Sequence, residues 1–144
     1  MNSTYSKPSL TADAALQVIE ACRAKATELG KAFVIAVCDE SGRSKATLAM
    51  DGAPLVSSQV AIDKAYTAAG FGIPTDGWFD FIKDDEPLRL GAPTGIDRLV
   101  VFGGGIPLTV DGAIVGAVGV SGGHYSEDME VASAGVAAFE SVTA

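Results

Sequence analysis

Cationic side chains, cysteine and histidine are scarce in this chain. Ten Lys and Arg stand against eighteen Asp and Glu, a net charge of −8. That balance repels phosphate backbones and leaves no basic stripe to follow them, which argues against nucleic acid as a partner. Two cysteines cannot build a zinc site by themselves, and Cys22 on a helix face and Cys38 in a strand read as small buried hydrophobes. No stretch approaches the roughly 20 apolar residues that cross a bilayer. Met1 to Leu10 is polar and carries neither the charged nor the apolar region of a secretory signal, so the expected setting is cytoplasmic, with no membrane partner. Also missing are a nucleophile elbow, a phosphate loop, a dinucleotide fingerprint and a metal-ligand cluster. Covalent hydrolase, kinase and dehydrogenase chemistry therefore have no support.

What the chain does have is glycine, concentrated near the C-terminus. Gly103, Gly104 and Gly105 open one cluster; Gly119, Gly122 and Gly123 form another, which ends at His124, the only histidine present. Between them, apolar runs Ile106 to Val110 and Ala113 to Val120 are joined by Asp111-Gly112, a strong hairpin signal. Gly122 and Gly123 fall between a strand and a helix starting near Ser126, where backbone N–H groups can approach a ligand. A binding site is expected there.

The remaining rhythm predicts an α+β domain. Residues 1–10 read as a flexible arm and 11–144 as a single domain, a length that buries a sizeable core without staples. Ala15, Ile19, Cys22, Ala26 and Leu29 make the stripe of a first helix over Thr11 to Leu29, stopped by Gly30. Ala32 to Val37 and Ser44 to Met50 should pair as a hairpin. Ser57 or Ser58 caps a second helix that carries Ala61, Lys64, Ala65 and Ala68 and ends at Gly70 or Gly72. Pro74 to Gly95 breaks the pattern: one short helix around Trp78 to Ile82 is expected, then loop, the kind of segment that serves function or a subunit contact. Leu99 to Phe102 should start a three-strand meander, and Glu127 to Phe139 a final helix. Helices interrupted by hairpins imply an antiparallel sheet, five-stranded on this count, covered by helices.

Four motifs in order then carry a resemblance. Met50-Asp51-Gly52-Ala53, Lys64-Ala65-Tyr66-Thr67-Ala68, Gly104-Gly105-Ile106-Pro107-Leu108 and Gly116 to Gly123, followed by Glu127-Asp128 and Val131-Ala132, make the chain similar to the GlcG/HbpS family, the haem-degrading domain family, from about Thr11 to Phe139. The resemblance implies a profilin-like α/β sandwich that assembles into homo-oligomers, and members that include haem-binding and corrinoid-associated proteins. Two positions depart from the family pattern. Ala49 stands where an arginine is usual, and His124 follows the Ser-Gly-Gly turn where a small residue is common.

Three functions remain open on these residues. A small-ligand-binding protein would take haem or another planar, tetrapyrrole-like ligand, with Gly104, Gly105, Ser121, Gly122, Gly123, His124, Met50 and Tyr66 around it and His124 as metal ligand only if haem is bound. A catabolic enzyme, an isomerase, tautomerase or hydrolase of an unsaturated acid or imine, would use His124 with Lys64 or Asp51 as an acid-base pair. An oligomeric accessory subunit would leave the turn empty. Each residue also has a plainer reading: His124 as a solvent-facing side chain at a loop end, Lys64 as a snorkelling side chain, Asp51 as a turn residue, Asp128 at a helix dipole, Met50 and Tyr66 as packing.

Overall fold

The computed structural model describes residues 1–143. Its elements run α1 (Ala12–Glu28), β1 (Val34–Asp39), β2 (Ser44–Ala49), α2 (Ser57–Phe71), α3 (Thr75–Ile82), α4 (Glu86–Gly95), β3 (Gly105–Val110), β4 (Ala113–Ser121) and α5 (Tyr125–Thr143). The α+β class holds. The sheet has four strands, in the order β2-β1-β4-β3, all neighbours antiparallel.

The missing fifth strand was expected over Leu99 to Phe102. Arg98, immediately before that segment, sits in the left-handed region at φ 64. The Thr67 hydroxyl donates to the Arg98 carbonyl at 2.9 Å and accepts the Val100 amide at 3.1 Å. Backbone groups that would have joined a ladder are satisfied instead by one α2 side chain, so the segment stays a loop. Arg98 itself is held at 2.9 Å from Asp63 and lies over the Tyr66 ring at 3.8 Å.

Local chemistry explains the other elements. Thr11 caps α1 by accepting the Ala14 amide. Asp111 and Gly112, both at positive φ, make the β3–β4 turn whose twist matches antiparallel strands. α2 starts at Ser57 itself, with neither serine acting as a side-chain cap, and Gly72 closes it in the left-handed conformation. Pro74 to Gly95 holds a second helix where loop was expected. Asp85 caps α4 by accepting the Leu88 amide, and Pro87 sits near its start, where a missing N–H costs nothing.

Both faces of the sheet are covered. On one, Phe33, Ile35, Val37, Leu108, Val118 and Val120 pack with Val18, Ile19 and Cys22 of α1 and with Val131 and Phe139 of α5. Leu10 joins this core, and its amide donates to the Val115 carbonyl, so the N-terminal arm is anchored at its last residue. On the other face α2 lays its alanines against Val34, Ala36, Cys38 and Ala117. Both cysteines are free and buried, and burial pushes each thiol up to about 12, leaving them protonated at neutral pH. No helix among the described residues is long and apolar enough to cross a membrane.

Candidate functional site

Where β4 ends, the chain turns through Ser121-Gly122-Gly123-His124 into α5, beside the N-terminal end of α2. Gly122, at φ 152, passes so close to the Ala32–Phe33 backbone that a Cβ would stand 2.8 Å from the Ala32 oxygen. Only glycine lets the strand turn there. The turn borders a cavity of about 400 Å³ whose wall includes Val56, Val60, Phe102, His124, Tyr125 and Asp128. A second cavity, of about 430 Å³, lies beyond Phe102 and Tyr125, both of which line it together with Phe79, Val101 and Asp76. Phe102 and Tyr125 thus belong to both hollows, and each ring is about half exposed.

Two of the turn's amides are already occupied. Asp128 accepts the Gly123 N–H at 3.0 Å, and Glu127, itself paired with Lys31, accepts the His124 N–H at 3.1 Å. Acidic residues in the first turn of α5 thereby fill the positive end of that helix. An anion would find neither donor free, and what the turn offers a ligand is the imidazole. His124 is exposed. Its Nδ1 accepts the Ser126 amide at 3.2 Å and lies 2.8 Å from the Ser126 hydroxyl, which tethers the ring and places the proton of the neutral imidazole on Nε2. The Tyr125 ring stacks beside it at a tilt, centroids 4.0 Å apart.

Lys64 does not line this cavity. It is fully buried, and its Nζ donates to the Val120 carbonyl at 2.9 Å and to Asp128 Oδ2 at 2.8 Å. Burial lowers the lysine from its ordinary value and raises the aspartic acid, and in both groups desolvation outweighs the pairing. An acid-base pair of Lys64 with His124 is therefore not assembled around a common space. Asp128 reaches both the cavity and the lysine, a partnership that the helix-dipole reading missed. The glycines at 104 and 105 pack directly on Lys64.

Three expected site residues lie elsewhere. Asp51 and Met50 border a separate hollow of about 290 Å³ with Arg23 and Thr27. Asp51 precedes Gly52, at φ 86, in the turn after β2, the turn role of such pairs. Tyr66 packs on Gly42 and under Arg98. Conversely, Phe102, Tyr125 and Val60 line the site without having been singled out. Their signal in the sequence is position alone: the two aromatics flank the two glycine clusters. No group of three or more metal-ligating side chains occurs among the described residues.

Known proteins match this chain over nearly its whole length. An uncharacterized 15.0 kDa protein from the dhaT–dhaS intergenic region of Citrobacter freundii is 33% identical over 139 residues, 96% of this chain and 98% of its own. The corrinoid adenosyltransferase PduO of Salmonella typhimurium is 33% identical over 123 residues, 85% of this chain, which spans only 36% of that longer protein. Among solved structures, a PduOC:heme complex superposes with a TM-score of 0.79 at 30% identity, covering 90% of this chain and 94% of the other. The profile of the HbpS-like haem-degrading proteins matches residues 10–137. The resemblance carried by the four sequence motifs is thus a kinship: this chain belongs to the HbpS-like haem-degrading protein family.

Proposed function

We propose that the protein binds a flat, tetrapyrrole-like ligand, haem first among them, in the cleft between the α2 N-terminus and the Ser121–Tyr125 turn, with His124 Nε2 as iron ligand. One observation carries this reading: the only imidazole stands at the lip of an apolar, aromatic-walled cavity with its Nδ1 held by Ser126. Ligation through Nε2 would move the ring proton to Nδ1, where the Ser126 hydroxyl, 2.8 Å away, can accept it in place of the amide contact, and such a donated bond is what fixes an iron-ligating ring. Haem would supply a Lewis-acidic, redox-active iron, and its faces would meet Phe102, Tyr125 and Val60, which fit a flat apolar ring. The haem complex of the related PduOC adds support.

The test is a haem titration of the purified chain. Saturable binding with a Soret band is expected, and His124→Ala should shift that band or weaken binding at least tenfold. An unshifted spectrum with unchanged affinity sinks ligation by His124.

We further propose that the protein is a cytoplasmic homo-oligomer. Its free thiols suit a reducing compartment, and Phe71, Phe79, Phe81 and Leu90, all exposed on or beside α3 and α4, form an apolar area that a second copy would cover. Light scattering at micromolar concentration should return a multiple of the monomer mass. The monomer mass alone would remove this part of the reading.

A further inference from the structure

Behind the cavity lies a buried lysine that binding at His124 does not use. Lys64 leaves the middle of α2 and runs under the loop before β3, and glycines make its channel. A Cβ on Gly104 would stand 2.6 Å from Nζ and 2.9 Å from Cδ; a Cβ on Gly119 would stand 3.1 Å from the lysine Cβ. Stability alone does not account for such an arrangement, since exchanging a buried ion pair for packed apolar groups is often neutral or favourable. Two of the three ammonium donors go to Val120 and Asp128. On another side stands the Phe102 ring, its centroid 5.0 Å from Nζ. That ring is half exposed and belongs to the wall of both cavities, and Asp128 belongs to the wall of one. The Phe102 ring therefore stands between the lysine and two ligand-sized spaces.

We propose that Lys64 is an imine-forming lysine for small aldehydes or ketones, reached when the Phe102 ring swings aside, with Asp128 carrying the protons. Proton transfer along the 2.8 Å bond from the ammonium to Asp128 gives the amine and the acid that the condensation needs, and desolvation shifts both groups in that direction. The amine nitrogen bonds to the carbonyl carbon, and the displaced π pair on oxygen takes the Asp128 proton. Nitrogen returns a proton to Asp128, which passes it to the hydroxyl. Water leaves as the nitrogen lone pair closes the C=N bond. The products are one water, a protonated imine on Lys64 and the Asp128 carboxylate, so atoms and charge balance and no oxidant or reductant is required. Asp128 ends as counter-ion to the imine, in the place where it now faces the ammonium. This inference goes beyond haem binding and uses neither haem nor His124, so either can fail without the other.

Reductive trapping tests it. The full chain is incubated with acetaldehyde and sodium cyanoborohydride at neutral pH, then read by intact mass and peptide mapping. Lys64, although buried, should be alkylated ahead of the exposed or half-exposed Lys7, Lys25, Lys31, Lys45 and Lys83. Phe102→Ala should speed labelling at Lys64 several-fold, and Asp128→Asn should slow it several-fold. Because the adduct is mapped in the unaltered protein, a variant that fails to fold leaves the test intact. Adducts spread over the surface lysines, with Lys64 bare in both the parent chain and Phe102→Ala, would overturn the proposal.

Discussion

The two faces of the sheet do different work with different side chains. Against α1 and α5 the sheet presents Phe33, Ile35, Val37, Val118 and Val120, bulky groups that bury much apolar area. Against α2 it presents Val34, Ala36, Cys38, Ala117 and Gly119, mostly small. Small residues give up some hydrophobic stabilisation but let backbones approach, and that approach brings Lys64 across to Val120 and Asp128. Bulky apolar burial is concentrated on one face, and the buried Lys64–Asp128 pair is reached from the other.

Three perturbations, in falling order of expected effect, test that division. Phe33→Ala removes a fully buried ring from the bulky face and should cost about 3–5 kcal/mol in denaturant unfolding, by lost transfer energy plus the cavity left behind. Gly119→Ala acts oppositely, by overfilling the small-residue face: the new Cβ would stand 2.5 Å from the Ala65 nitrogen. Overpacking of this kind costs about 1–3 kcal/mol. Its further mark should be displacement of α2, seen as shifted amide resonances along that helix, while the α1–α5 side stays unchanged. Equal shifts on both sides would break the comparison.

The mildest perturbation is acid. Glu40, just after β1, is held down to about 2 from 4.5, first by the Ser9 side chain and also by Lys7 and Ser41. A carboxylate lowered in the folded state contributes stability that is fully present above its unfolded value and is lost as pH falls through the folded one. The fastening of the arm to the bulky face should therefore loosen from pH 4.5 toward 2. Hydrogen exchange at the Leu10 amide, referenced to its intrinsic rate at each pH, should show lost protection first. Simultaneous loss along α2 would contradict separate roles for the two faces.

Local signals were legible where the deciding chemistry is local. Thr11 and its apolar stripe mark α1, and Asp111-Gly112 between apolar runs marks the hairpin. α4 was hidden because Gly91, Pro93 and Gly95 weaken its helical signal. Its cap, Asp85 followed closely by Pro87, was the readable clue. The loop at Leu99 to Phe102 was hidden for another reason: its apolar residues suit a strand, but Thr67, about thirty residues earlier, takes its backbone bonds.

The site divides in the same way. From the sequence alone came the glycine turn, the lone histidine at its end, the family and the α+β class, because each rests on neighbours along the chain or on motifs in order. Tertiary structure decided which side chains meet. It joined Lys64 to Asp128, sixty-four positions apart, set Phe102 over them, and sent Asp51, Met50 and Tyr66 to other parts of the surface. The physical reason is that burial and pairing depend on what packs across the sheet, and the spacing of residues along one strand or helix carries no record of the element opposite.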